Sequence, residues 1–456
     1  MHFVTGVQKH ITVFISCSEE DFDAVVRCQM LLNTAGFTVL HSGSARPDDI
    51  RKCHFFLLFL SNNSLKSISV QRELGLALEI QRRNQGYRPF LIALFAQDAQ
   101  PAEGLDRFPI RDFHSGEARG DFALREFAAI QVLTDTADSL ISLLKPSLLV
   151  SRLDFSDEET FRRSKVFELY EQMFPAWERD SPDDIVDWVL RSDIGEPRGT
   201  SLPNGTEITY CLDSRYFILA VVGRAIGFAF VTYDRAGKIL YLNYIAVHRC
   251  WREGDIAHAF FREMEIILME LFPEYCGTVF EVEKFERVEV ERIISALEKS
   301  PGHKFSSDED QDQIRRFLRT VWYQSIGRKF FINTTTGEPL VCRSICLDPT
   351  LPAETWPNQE DGFWLMWRSR LGTLLDRSEV GEVWNKAVNS VYIEILAKSI
   401  VVSYPPFAQE YWQYANSVVD QTLQQTNKSE VALGTFFNRR EGVLKRWYRL
   451  GIKVDI

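Results

Sequence analysis

The residues nearest the N-terminus that could do chemistry are one carboxylate and a few hydroxyls. Glu73, in Gln71-Arg72-Glu73-Leu74, lies beside the inner stripe of a predicted helix and can face a cleft. A carboxylate placed there can steady the positive charge that develops as a glycosidic bond breaks. Ser16 and Ser18 stand in Phe14-Ile15-Ser16-Cys17-Ser18-Glu19-Glu20-Asp21, where an apolar strand passes into a helix start. Backbone N–H groups are unpaired at such a junction and favour anionic ligands. The loop His41–Asp49, which contains Arg46, ends the next strand. If these strands lie in one parallel sheet, all three features gather at its carboxyl edge, where such sheets bind ligands. The candidate residues of that edge are Glu73, Phe14, Ser16, Ser18 and Arg46. A lone glutamate early in a helix is also what the helix dipole favours without any catalytic role. No glycine-rich phosphate fingerprint follows the first strand.

A second group lies in Val247-His248-Arg249-Cys250-Trp251-Arg252-Glu253-Gly254-Asp255-Ile256-Ala257, between a long strand and an amphipathic helix. A turn with an arginine and a glycine before a helix start can hold a pyrophosphate, here through Arg252, Gly254, Ile256 and Ala257. Asp255 would oppose it by charge. Glu281 and Glu283 stand at i, i+2 on one strand face, where like-charge proximity can raise one pKa, and Tyr323 lies in the later stretch Arg315–Phe330. The plainer alternatives are solvated strand-end charges and an aromatic at the rim of a core.

The chain has 456 residues, 52 basic and 63 acidic, for a net charge of −11. Nucleic-acid binding normally needs a basic excess, so none is expected. The apolar run Phe55–Leu60 is far short of the roughly 20 residues that cross a bilayer. The start lacks the layout of a signal peptide. The eight cysteines are scattered, without the short pairs of a zinc site or a disulfide framework. Cytoplasmic location and no metal are the expectations. Residues 1–150 carry 15 basic and 17 acidic side chains, so most of the acidity lies later in the chain.

The elements that must position these residues follow from periodicity. Ile11–Ile15, Phe37–Leu40, His54–Leu60 and Pro89–Ala96 read as strands, most of them apolar on both faces. Phe22, Val25, Val26 and Met30 make one helical face, as do Val70, Leu74, Ala77 and Leu78. Strands of this kind separated by helices predict a parallel sheet covered on both sides. A closing helix is expected over Ala137–Leu144 and another over Phe155–Trp177. Then Tyr216–Val222, Ile226–Tyr233 and Ile239–Val247 read as a meander. A helix over Asp255–Leu271, a strand over Thr278–Val282, helices within 283–315 and late strands at Phe330–Ile332 and Phe363–Trp367 follow. The remainder reads as helical, clearest over Trp384–Val402. The expected division is 1–150, 151–370 and 371–456.

The first block resembles a TIR domain on Phe14–Asp21, Gly36-Phe37-Thr38-Val39, Phe55–Ser67 and Arg72-Glu73-Leu74. The likeness covers most of residues 10–145. It implies a flavodoxin-like sheet, with the glutamate at Glu73 as the catalytic residue of NAD⁺-cleaving members. It also implies a nucleotide substrate, self-association through this unit and a place in bacterial immunity. The aromatic residue often seen shortly before that glutamate is absent, since Ile68-Ser69-Val70 stand there. Glu73-Leu74-Gly75-Leu76-Ala77 and Arg88-Pro89-Phe90-Leu91-Ile92 suit a nucleoside deoxyribosyltransferase-like unit as well. Both relatives cleave N-glycosidic bonds. Residues 153–370 resemble the GNAT acyltransferases on the meander, on Arg252 to Ala257 and on Arg315–Phe330. That resemblance implies an α+β fold, acetyl-CoA as cofactor, Glu281 or Glu283 as the base that takes the amine proton and Tyr323 as the acid that protonates the leaving thiolate, with Asp255 where the family has glycine. The alternatives are thus a TIR-type NAD⁺ enzyme with the GNAT-like part as sensor or assembly module, an acetyltransferase with a regulatory TIR-like unit, and a non-catalytic scaffold.

Overall fold

The computed structural model describes residues 2–3, 10–42, 47–61, 63–95, 140–142, 144–151, 165–174, 179–194, 197–210, 213–252, 255–299, 307–359, 362–370 and 375–435. The chain divides into two compact units. The first comprises Met1–Glu178, Ile218–Phe228 and Ala246–Glu265, and the second the rest. Three strands, β9 (Asp213–Val221), β10 (Arg224–Asp234) and β11 (Ile239–Val247), contribute residues to both.

In the first unit, β2 (Thr12–Ser16), β3 (Thr38–His41), β4 (Phe55–Leu60) and β5 (Phe90–Phe95) form a parallel sheet in the order β3-β2-β4-β5. This is the flavodoxin-like order, with the first strand between the second and third. β4 reads Phe-Phe-Leu-Leu-Phe-Leu because the layers on both its faces are apolar. Phe14, Phe56, Leu58, Val70 and Ala77 make one core cluster, with the Phe14 and Phe56 rings stacked at 5.5 Å. Helix α1 (Phe22–Thr34) ends before Gly36, whose φ of 95° turns the chain back into β3. Helix α2 (Pro47–Lys52) leads into β4, and α3 (Ile68–Arg83) into β5. The same unit pairs β1 (His2–Phe3) antiparallel with β6 (Ser147–Val150), two strands absent from the expected pattern. Of the helix expected over Ala137–Leu144, Leu140–Ser142 and Leu144 are described and helical. Of the one over Phe155–Trp177, α4 (Val166–Met173) is described.

The second unit adds β12 (Gly277–Glu283), β13 (Lys329–Asn333), β14 (Val341–Arg343), β15 (Gly362–Ser369) and β16 (Val431–Gly434). The strand order is β9-β10-β11-β12-β15-β13-β16, with β14 also against β15. β11 and β12 are parallel, but their ladder runs only from Ile239↔Gly277 to Leu242↔Phe280. Beyond that point both strands continue without pairing to each other, so the sheet splays. A meander, a helix α6 (Ile256–Leu271) and a splayed parallel pair are the GNAT-like arrangement. Between α4 and β9 lie α5 (Pro182–Ile194) and a hairpin of β7 (Arg198–Ser201) and β8 (Glu207–Tyr210) that periodicity did not reveal. The charged stretch after β12 becomes α7 (Arg287–Lys299) and α8 (Asp308–Ser325).

The last stretch is not purely helical. β16 pairs with β13 over Phe330↔Gly434 to Asn333↔Val431, so the tail contributes a strand to the sheet. Its helices are α9 (Arg377–Asn389), a π-helical stretch Ser390–Ala397, α10 (Lys398–Ser403) and α11 (Ala408–Gln424). Trp384, Tyr392 and Tyr411 of these helices are buried in one cluster with Val279, Leu365 and Trp367 of the sheet. The aromatic density of the tail is therefore core.

Candidate functional site

The carboxyl edge of the parallel sheet gathers three side chains from three elements. Ser16 is the last residue of β2, Ser42 follows β3, and Glu73 lies in the second turn of α3. The Ser16 hydroxyl donates to Glu73 Oε2 at 2.6 Å, and the Ser42 hydroxyl donates to the same oxygen at 2.8 Å. Ser42 is itself held. Its N–H donates to the Ile15 carbonyl at 3.1 Å, and its Oγ accepts the Cys17 N–H at 3.0 Å. Two hydroxyls on one carboxylate oxygen fix the carboxylate plane, since hydrogen bonds to a charged acceptor are the strong ones. Among the described residues, Glu73 Oε1 has no hydrogen-bond partner. Ser16 is fully buried and Glu73 half-buried, so the oxygen pair sits at the edge of the packed layer.

A second polar knot stands beside it. Ser18 donates to Asp21 Oδ2 at 2.7 Å, and the Ser61 hydroxyl, past the end of β4, donates to the same oxygen. Ser64 Oγ accepts the Ser61 N–H at 2.7 Å. These bonds lock the turn into α1 against the turn after β4. Burial, with the charges of Asp21 and Glu73, pushes the Cys17 thiol up to about 11. It is therefore a neutral thiol at ordinary pH. Phe22 meets the His41 ring edge-on at 5.0 Å on this edge.

Of the residues expected here, Ser16 and Glu73 are brought together, and Ser18 is turned to Asp21 instead. Phe14 is a correction: its ring is core, stacked on Phe56, because alternate residues of a strand point to opposite faces. Arg46 lies outside the described residues. Ser42 was not singled out, although the rule that selects Ser16, a hydroxyl at a strand's carboxyl end, selects Ser42 equally.

The second constellation comes out differently. Arg252 Nε donates to the Val247 carbonyl at 2.8 Å, folding the guanidinium back on its own turn. Ile256 is fully buried and Ala257 partly so, while Gly254 lies outside the described residues. Asp255 is exposed, with a φ of 61°. Glu283 is ion-paired to Arg319 at 3.3 Å and Arg316 at 3.6 Å, which opposes its use as a base. Tyr323 is buried with its ring 5.1 Å from Phe280, a rim-of-core position. Glu281 accepts from the hydroxyls of Tyr241 at 3.0 Å and Tyr392 at 2.5 Å, and burial raises its carboxyl. The π-helical stretch supplies Tyr392, which no linear pattern connects to Glu281.

Residues 13–129 match the family model of the TIR domain. No curated protein matches the chain. Forty-seven solved chains match. One is described as a GNAT-family acetyltransferase of Bacteroides thetaiotaomicron (13% identical, covering 54% of this chain and 99% of that one, TM-score 0.30). Others are the aminoglycoside 6'-N-acetyltransferase of Enterococcus faecium (8%, 50% and 99%, 0.27) and the ribosomal-protein-S18-alanine N-acetyltransferase of Escherichia coli (13%, 50% and 97%, 0.25). Residues 13–129 are thus similar to the TIR domain. Among the described residues, no single helix is long and apolar enough to cross a membrane.

Proposed function

We propose that the first unit cleaves the nicotinamide–ribose bond of NAD⁺, by hydrolysis or cyclisation, with Glu73 as the catalytic carboxylate. The observation that carries this is the convergence of Ser16 and Ser42 on Glu73 Oε2 at the sheet's carboxyl edge. As the bond to nicotinamide lengthens, positive charge grows on the ribose ring. A fixed carboxylate facing that charge lowers the barrier without having to reorganise during the reaction. Nicotinamide leaves as a neutral base, and water or an adenine nitrogen completes the new bond at the ribose carbon. The TIR-domain match over residues 13–129 supports a nucleotide of this class as substrate. On this reading the GNAT-like part serves as sensor or assembly module, activity follows self-association through the TIR domain, and the setting is a cytoplasmic immune response. The test is nicotinamide release from NAD⁺ by the full chain, with Glu73→Gln as control. Cleavage of a deoxyribonucleoside instead of NAD⁺ would move the substrate but keep Glu73 in its role. A Glu73→Gln variant as active as the natural chain would end the assignment.

A further inference from the structure

Helix α1 carries an aromatic ring at the carboxyl edge of the parallel sheet. Val25 and Leu32, seven residues apart on its inner stripe, are fully buried. Phe22, one turn before Val25 on the same stripe and the first residue of the helix, is 38% exposed. Helical side chains tilt towards the helix N-terminus, so this ring reaches past the layer that buries Val25. It meets His41, the last residue of β3, with ring centroids 5.0 Å apart and planes at 69°. His41 pairs in register with Ile15 and directly precedes Ser42, whose hydroxyl donates to Glu73 Oε2 at 2.8 Å. One dipeptide thus ties the ring pair to the candidate carboxylate.

A single exposed phenylalanine is ordinary. This one has its ring plane set by His41 and stands beside charge that the protein leaves unpaired. Asp21, the residue before it, holds the N-cap position of α1, where a carboxylate normally accepts the first amides of its own helix. It makes no such bond. Its Oδ2 accepts from Ser18 at 2.7 Å and from Ser61. Among the described residues its Oδ1 accepts no hydrogen bond, and no lysine or arginine pairs with it. Glu73 Oε1 is open in the same way. The face of an aromatic ring is electron-rich and attracts a cation lying within about 6 Å of its centre. An aromatic face with a carboxylate next to it suits a flat ring that carries positive charge. The pyridinium of NAD⁺ is such a ring, and it is attached through the bond whose cleavage is proposed above. Adenine is flat but neutral.

We propose that Phe22, steered by His41, is the platform that takes the positively charged pyridinium ring of the substrate, with Asp21 favouring that charge. This rests on the NAD⁺ reading of the same site and names the part of the nucleotide that the site selects. NADH has the same parts as NAD⁺ but a neutral nicotinamide ring, so the platform makes the chain prefer NAD⁺. The test is calorimetric titration of full-length Glu73→Gln, which on the same reading leaves NAD⁺ intact, with NAD⁺, NADH and AMP. Adding Phe22→Leu is expected to weaken NAD⁺ about two- to fivefold and NADH less, while Phe22→Trp holds or tightens NAD⁺, because tryptophan is the best partner for a cation. Asp21→Asn narrows the preference for NAD⁺ over NADH by about two- to fivefold. An unchanged NAD⁺ affinity in Phe22→Leu overturns the platform. So does an equal loss for NAD⁺ and NADH, which makes the contact merely apolar. A loss for AMP as large as that for NAD⁺ puts adenine on the ring and overturns it too, as does no saturable binding of NAD⁺ up to about 1 mM. These are binding readouts, so the two readings fail separately. A chain that prefers NAD⁺ through Phe22 without releasing nicotinamide keeps the platform and loses the reaction. A chain that releases nicotinamide with Phe22→Leu binding NAD⁺ normally keeps the reaction and loses the platform.

Discussion

Removing Ser42 tests the site at two levels. Its hydroxyl donates to Glu73 at 2.8 Å and accepts from the Cys17 N–H at 3.0 Å. A hydrogen bond to a charged group contributes about 1.5–3 kcal/mol. If the bond acts by holding the carboxylate in its productive plane, Ser42→Ala lowers kcat by about 10- to 150-fold with little change in KM. Ser16→Ala acts on the same oxygen at 2.6 Å, so the two losses are not independent. Once one donor is gone the carboxylate can turn, and the second deletion costs less. The double variant should fall short of the product of the single effects by about 0.5–3 kcal/mol. Stability separates the two serines. Ser42→Ala also leaves a buried N–H without its acceptor, at about 1–3 kcal/mol, whereas among the described residues no backbone N–H donates to Ser16 Oγ. Urea unfolding should therefore place Ser42→Ala below Ser16→Ala. The assay is nicotinamide release from NAD⁺ at saturating and limiting substrate, followed by chromatography. A double variant within about twofold of the natural kcat would refute the positioning argument. Equal unfolding midpoints for the two single variants would refute the account of the Cys17 N–H.

Three further outcomes follow from buried groups and close packing. His54 accepts the Thr12 N–H on Nδ1 at 3.1 Å, and burial together with the Arg88 charge lowers it to about 3. The unfolded chain takes up that proton near pH 6.5 and the folded chain does not, so stability is lost as pH falls below 6.5; a His54→Gln variant, compared by urea unfolding at pH 7.5 and 5, should lose less on acidification. Asp180 accepts from Tyr244 at 2.9 Å, yet burial raises it to about 6. Its contribution therefore runs the other way, with stability falling as pH rises from about 4 to 6, and Asp180→Asn should gain up to about 3 kcal/mol relative to the natural chain at pH 7.5, measured the same way. Gly277 pairs with Ser369 where an added Cβ would lie 2.2 Å from the Trp367 ring and 2.7 Å from the Arg368 carbonyl. Gly277→Ala should destabilise by about 1–3 kcal/mol or more, and a thermal midpoint within a degree of the natural chain would contradict this crowding.

The sequence by itself determined the elements that carry the candidate site and the class of each half, but not β1, β6, the β7–β8 hairpin or β16. Phe55–Leu60 is apolar at every position, and a strand of that kind must be covered on both faces. The meander from Tyr216 to Val247 and the helix after it likewise follow from alternation and turn residues. The strand-end rule selected Ser16, and a carboxylate beside a helix's inner stripe selected Glu73. Local patterning carries this much because burial imposes a period on each element separately. What partners a side chain finds across the sheet has no period. Ser42 and Glu73 are 31 residues apart and meet because β3 and β4, the strands that precede them, both lie parallel beside β2. Glu283 looked like a base and is paired to two arginines of α8, and Glu281 is claimed by a tyrosine 111 residues away. The tail's strand reached the sheet only because β13 had a free side for it. The turn at Trp251 shows the difference most sharply. Its arginine reads in the sequence as a cation for a ligand, but the fold turns the Arg252 guanidinium to the Val247 carbonyl and the Trp251 indole to the Tyr87 carbonyl. A polar group has one set of donors, and the fold decides whether they meet a ligand or the neighbouring chain.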